Sequence, residues 1–421
     1  MPYRLLAALL AACLVPLLAA TPVAGKSLFE IFADAADGTE IAVGGSSLPD
    51  LVENLIDSSG DFAALDGQDF TASLTYAGVA DALNFELTET ANDVTVRITS
   101  ELTGLDRTFT GSTRGDVEDD IEDWLLSDGT SEYAKFQQAM QRHSPVAVLD
   151  GNPASTTALL GRQSYRRWAM PRTGPDWLGR GLIEADNDPG RGWFFSVSAF
   201  GDFTDASGFD VVAGGFAMDS GRWFTEHVGF ALSSLIVYVE VEDAAIIHGG
   251  TELAIPIRIF DRRAFGEGPF DVTWQITPFG NLGGAGSIDM AAGGLIWGVG
   301  AANRITLGFD RFDVTFASQL SHYEGLKLSV SDYSFKPELS QQLLVNGVLV
   351  TMPVGTRFYL DGGVSYSRYL DDAAIQDWVS PTAGAGVRLG TRSSLGVAYT
   401  ASFGDNNYDN HHISLSLNVG F

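Results

Sequence analysis

The sequence of 421 residues carries a formal net charge of −28, with 48 glycines, 19% charged residues and one cysteine. So negative a chain is repelled by nucleic acid, and a single cysteine excludes a disulfide scaffold. The composition is too polar for a helical membrane protein; it fits a barrel in which only alternate strand residues face lipid.

The chain opens on Arg4 and the apolar run Leu5–Ala20, with the small residues Val23 and Gly25 before Lys26. This pattern predicts a signal peptide over residues 1–25. Leu10-Ala-Ala-Cys13 also matches a lipoprotein-type box, which would make Cys13 a lipidated first residue; the apolar run that continues past Cys13 favours ordinary cleavage. No other run reaches the length of a transmembrane helix.

Residues 26–150 hold 25 acidic and 6 basic residues, so −19 of the net charge lies there. The sequence predicts short helices over Ser27–Ala36 and Ser46–Ile56, then strands at 70–76, 81–88, 92–98 and 104–110. After Gly111, Val117, Ile121, Trp124 and Leu125 form a helical stripe, and a second helix is expected from Ser131 to His143. The segment reads as a small α+β domain. Its carboxylates Asp116, Glu118, Asp119, Asp120, Glu122 and Asp123 suggest calcium. A calcium loop, however, needs alternating oxygen ligands and a glycine at its sharp turn. This run has no internal glycine and follows a helical period, so a solvated helix face is the expectation. His143 stands without partners at motif spacing. There is no nucleophile elbow, phosphate loop or zinc pattern, so neither enzymatic activity nor a cofactor is expected.

In residues 151–191 the charge reverses. Arg162, Arg166, Arg167 and Arg172 occur with no acid among them, and Ser155–Ala169 has helical composition. Three placements are open: an amphipathic helix on the acidic domain, a helix plugging a barrel lumen, or a basic helix on a membrane surface. In the second, Arg162, Arg166 and Arg167 pair with carboxylates facing inward. Asp186-Asn-Asp-Pro-Gly190 is a turn signal.

From residue 192 to 421 period-two segments recur at 192–203, 208–218, 222–238, 251–260, 268–279, 287–308, 311–323, 341–352, 356–369, 380–389, 394–404 and 412–421. Phe358, Leu360, Val364 and Tyr366 oppose Asp361, Gly363, Ser365 and Ser367; Val272, Trp274 and Ile276 oppose Asp271, Thr273 and Gln275; Phe312, Val314 and Phe316 oppose Asp313, Thr315 and Ala317. Asp271, Asp313 and Asp361 are thus candidate lumen carboxylates. In the last strand Ile413, Leu415, Leu417, Val419 and Phe421 alternate with His412, Ser414, Ser416, Asn418 and Gly420. Adjacent strand residues point to opposite faces, so His411 and His412 do not make a metal site. Counted back from Phe421, connections alternate long (405–411, 370–379, 324–340) and short (390–393, 353–355, 309–310), as outer-membrane barrels do. The 287–308 segment is long enough to hide a turn near Ala301-Ala-Asn303. Trp193, Trp223, Tyr238, Tyr366, Tyr369, Trp378 and Phe421 lie near segment ends, where interfacial aromatic girdles are expected. The fold expected is a transmembrane β-barrel of about 12 antiparallel strands after a small α+β domain, and the runner-up is a soluble sandwich.

Gly192-Trp-Phe-Phe-Ser-Val-Ser-Ala-Phe-Gly201, Gly208-Phe-Asp-Val-Val-Ala-Gly-Gly-Phe-Ala-Met-Asp219 and the stretch Trp223–Leu232 resemble the opening strands of the C-terminal translocator domain of autotransporters. The terminal Phe421 resembles the signal read by the barrel-assembly machinery. The resemblance implies a bacterial outer-membrane barrel with a helix in its pore, at the position of 155–169, and an N-terminal passenger. As partners it implies outer-membrane lipid, the assembly machinery and periplasmic chaperones. Passengers of that family are long and repetitive, whereas residues 26–150 are short and show no repeat. The alternative is a diffusion channel or porin with a periplasmic N-terminal module.

Overall fold

A computed structural model describes residues 26–126, 130–170, 193–225, 227–261, 271–309, 311–330, 333–389 and 393–420. The expected signal peptide with Cys13, the basic Arg172 and the terminal Phe421 lie outside them. The N-terminal region is a six-stranded antiparallel sheet in the order β2-β1-β3-β4-β5-β6. Its strands are β1 (Phe29–Ala35), β2 (Glu40–Gly45), β3 (Phe70–Tyr76), β4 (Val79–Glu89), β5 (Val94–Ser100) and β6 (Leu105–Gly111). Helix α1 (Leu48–Ile56) follows β2, and α2 (Arg114–Leu126) and α3 (Thr130–His143) follow β6.

The first of these strands corrects the helix expected over Ser27–Ala36. Phe29, Ile31, Ala33 and Ala35 are buried and the residues between them are exposed, a period of two that helix-compatible alanines and an exposed Phe32 obscure in the sequence. The acidic run 116–123 does lie on a helix. Asp116 accepts from the Ser112 and Thr113 amides at 3.1 and 3.0 Å and from the Ser112 hydroxyl. That bonding, led by the hydroxyl, holds the Asp116 carboxyl below the usual carboxylate range.

The C-terminal region is a closed antiparallel barrel of twelve strands. They are β7 (Trp193–Ala206), β8 (Phe209–Trp223), β9 (Gly229–Val241), the broken pair β10 (Ala244–Ala254) and β11 (Ile257–Asp261), β12 (Asp271–Ser287), β13 (Ala292–Gly308) and β14 (Asp313–Leu326). A small hairpin, β15 (Leu328–Val330) and β16 (Tyr333–Phe335), precedes β17 (Ser340–Val354). The circuit ends with β18 (Phe358–Tyr369), β19 (Asp377–Arg388), β20 (Ser393–Gly404) and β21 (Tyr408–Gly420). β10 and β11 count as one barrel strand: both pair with β12, and the break falls at Ile255-Pro256, where proline has no amide to give the ladder. Closure comes from β21 against β7, from Tyr408↔Ala206 to Gly420↔Phe194. β13 is one strand paired on both sides through Ala301 and Asn303, so no turn interrupts it.

Alternation sorts the two faces. Phe216, Leu232, Ile236, Ile247, Phe316 and Val397 point outward and are exposed, while Ser196, Gln275, Gln319, Ser394, Thr400 and Asn418 on the same circuit are buried inside. No described helix is long and apolar enough to cross a membrane, which says nothing of strands.

The loop pattern departs from expectation. β21 begins at Tyr408, so the connection 405–407 is short, and 207–208 and 242–243 are tighter still. Tyr369 and Trp378 also depart from the expected girdle: both face the lumen, fully or nearly buried, with rings 5.6 Å apart. Parity explains this, since both fall on the inward set with Ser367 and Ser380.

The two rims are unlike. β7 begins and β21 ends at one, called here the C-terminal rim. The sheet domain sits on the other: Leu48 N–H donates to Asp289 O at 2.7 Å, Tyr76 Oη to Met290 O at 2.9 Å, and Lys26 Nζ lies 4.9 Å above the Phe209 ring. One apolar core runs from the sheet domain into the barrel and includes Leu28, Phe136, Val146, Val148, Leu149, Phe209, Val237 and Val239.

Candidate functional site in the barrel lumen

The segment 144–154 leaves α3 at the domain-bearing rim and is buried almost throughout. Gly151 there has φ +88°, and a Cβ on it would collide with the Gln141 carbonyl, so the turn into the barrel requires glycine. Asn152 O accepts from Tyr369 Oη at 3.1 Å, Gly151 O accepts from the Ile375 amide at 3.0 Å, and Ser155 Oγ and Thr157 Oγ1 lie 3.1 and 3.0 Å from Tyr369 Oη. Helix α4 (Thr156–Ser164) and a π turn (Tyr165–Ala169) then run inside the barrel. Of the three placements open for this helix, the structure adopts the plug.

The plug has two faces. Leu160 presses on β10 and β12, where a Cβ on Gly250 or Gly283 would approach its methyls to 2.5 or 2.8 Å; these strands keep glycine so that the helix can sit against the backbone. Burying Leu160 contributes on the order of 2 kcal/mol relative to exposure in water. The arginines reach toward β7, β8, β9, β10 and β21. Arg167 lies between Glu252, 3.2 Å away, and Asp219, and also donates to Ser233 Oγ. Glu252 further accepts from Trp168 Nε1 at 2.7 Å and from Ser164 Oγ. Arg166 Nη1 donates to His412 Nε2 at 2.6 Å, His412 Nδ1 lies 2.8 Å from Asp202 Oδ1, and Arg162 Nη1 is 3.7 Å from the same oxygen. A ring nitrogen that accepts from a guanidinium carries no proton, so His412 is the neutral tautomer with its hydrogen on Nδ1, donated to Asp202. Three arginines therefore meet three carboxylates inside the lumen.

Arg162, Arg166 and Arg167 thus all lie in the lumen, and the acids shown to meet them are not Asp271, Asp313 or Asp361. Asp271 and Asp313 stand at the C-terminal rim, and Asp361 is buried facing inward close to it. The acids shown on the arginines are Asp202, Asp219 and Glu252. All are at inward parity, so alternation could have nominated them; alternation gives the face and not which strands the arginines reach, and these acids stand on β7, β8 and β10. His412 points inward and His411 outward to Tyr399 Oη at 2.6 Å, as neighbouring strand residues must. No group of metal-ligating side chains occurs among the described residues.

Beside the plug a cavity of about 150 Å³ is lined by Arg162, Gln163 and Arg166 and by Ser196, Ser198, Ser414, Ser416 and Asn418 of the wall. At the mouth, burial pushes the Asp150 carboxyl up to about 6, against a hydrogen bond from Thr157 Oγ1. A carboxyl whose folded pKa is raised costs stability once it ionises. The plug should therefore gain stability as pH falls from about 6 toward 4, by on the order of 3 kcal/mol for a shift of this size. Asp150→Asn is expected to stabilise the docked segment at pH 8 and to flatten this dependence. Urea transitions at pH 5 and 8 measure it, and a wild type with equal midpoints at both would refute the assignment.

No protein-family model matches the chain, and no curated protein sequence matches it. Among solved structures it is similar to the translocator domain of autotransporter NalP from Neisseria meningitidis (12% identity, 63% of this chain and 98% of that one, TM-score 0.38). It is also similar to the β domain of the Bordetella autotransporter BrkA (11% identity, 55% and 100%, TM-score 0.37). A third similar structure is an outer-membrane channel from Pseudomonas putida F1 (10% identity, 55% and 96%, TM-score 0.40). Translocators and channels score alike, and at these values the likeness carries no argument about function. The twelve-stranded barrel rests on its own strand pairing.

Proposed function

We propose that the chain is a bacterial outer-membrane β-barrel of autotransporter type, whose lumen anchors a small acidic domain without enzymatic activity. The observation that carries this reading is the path of the chain. The sheet domain caps one rim, residues 156–169 lie in the lumen, and the first barrel strand starts at Trp193 on the other rim. A barrel whose outward band is apolar and whose interior is hydroxyl-rich suits lipid outside and polar content within. With the C-terminal rim toward the periplasm, the sheet domain is on the cell surface.

An epitope placed in the exposed turn Ala91–Asp93 tests the orientation. It is expected to bind antibody on intact cells. Labelling only after the outer membrane is opened would put the domain in the periplasm and remove the export reading. The hydroxyl-lined wall along β7 and β21 favours a second reading, a diffusion channel that conducts when the plug moves; conductance across a planar bilayer separates the two.

A further inference from the structure

Among the described side chains, the C-terminal rim and the domain-bearing rim carry opposite charge. Arg222, Arg258, Arg311, Arg357 and Arg388 gather at the former, with Asp271 and Asp313 among the described side chains. At the edge of the outward band on the latter stand Asp205, Asp210, Glu240, Glu324 and Asp409.

The arginine rim is also aromatic. The Arg222 guanidinium lies 5.6 Å from the Trp193 ring centroid, and Trp193 is 51% exposed on the outer face. Phe309 and Phe312 stack at 4.8 Å across the turn that holds Arg311, and Phe358, which follows Arg357, is 60% exposed. Arginine over an indole keeps its charge at the boundary while its stem covers apolar surface. Its fork then offers paired donors to phosphate oxygens. The carboxylate rim would repel the same group.

We infer that the C-terminal rim is a docking surface for the phosphodiester headgroups of anionic phospholipids. Arg222, Arg311 and Arg357 hold the phosphates, and Trp193, Phe309, Phe312 and Phe358 sit at the level of the acyl-chain boundary. The inference rests on the membrane-barrel reading above, and it assigns this rim to a phospholipid leaflet rather than merely to a side of the membrane.

The test uses the full-length protein inserted into phosphatidylcholine vesicles, with brominated phosphatidylglycerol or brominated phosphatidylcholine quenching tryptophan fluorescence. The expected result is preferential quenching by phosphatidylglycerol, up to about fivefold for each arginine engaged. The preference should vanish in the Arg222→Gln/Arg311→Gln/Arg357→Gln variant and persist in Arg368→Gln, on the opposite rim. Equal quenching by the two lipids in the wild type, or a preference that survives the triple substitution, overturns the inference and leaves the barrel reading intact. Failure of the wild type to insert into either vesicle overturns both.

Discussion

Removing residues 26–169 is expected to turn a nearly silent barrel into one that conducts in steady, ohmic steps across a planar bilayer. Two obstructions act in series in the intact chain. Val146, Val148 and Leu149 fill the mouth as part of one apolar core with the barrel wall, and α4 with its π turn fills the lumen behind them. The barrel itself should survive the truncation, because β7 and β21 close it with no help from the N-terminal half. Deleting 155–169 alone should give a smaller and less regular conductance, since the mouth stays occupied. Strong conductance by the full-length protein would refute the plug as a seal and favour the channel reading.

Arg167→Met is expected to destabilise the docked plug by about 3–5 kcal/mol, the range found when one member of a buried ionic cluster is removed. The methionine can fill the space of the arginine stem, so lost packing is a minor part of the cost. The larger part is that Asp219 and Glu252 are left as neighbouring charges within the lumen, with side-chain exposures of 15% and 6%. The variant Arg167→Met/Asp219→Asn/Glu252→Gln should therefore recover most of the loss, because it removes the uncompensated charge and keeps shape. The measurement is the urea concentration at which residues 156–169 lose protection from hydrogen exchange. If the triple variant is no more stable than the single one, the arginine acts through packing and the electrostatic account fails.

Both expectations concern a feature that the sequence placed only in part. The absence of acids around Arg162, Arg166 and Arg167 marked the helix as something that must find its carboxylates elsewhere. Which carboxylates was decided in three dimensions. Asp271, Asp313 and Asp361 share the inward face with Asp202, Asp219 and Glu252, but they stand on β12, β14 and β18, whereas the plug turns its arginines to the acids of β7, β8 and β10. Tyr369 and Trp378 carry the same lesson. Position near a strand end suggested an interfacial girdle, whereas parity turned both inward, where Tyr369 holds the segment Asn152–Thr157 and Trp378 packs on the Tyr369 ring.

The amino-acid sequence by itself determined an approximate strand count, the strand faces and the presence of an amphipathic basic helix, because each depends on a local period of two or of 3.6; the exact count of twelve came from the strand pairing. It also determined four of the six strands of the N-terminal sheet; it missed β2 (Glu40–Gly45), and it failed at β1, where alanines made a strand compatible with a helix. Tertiary structure alone decided that the sheet domain shares its core with the barrel, that the helix lies in the lumen and not on the domain or the membrane, and that the charges balance there. It also decided which described arginines stand together at the C-terminal rim. These are matters of depth and rim, set by how strands far apart in sequence come into register, and no local period records them.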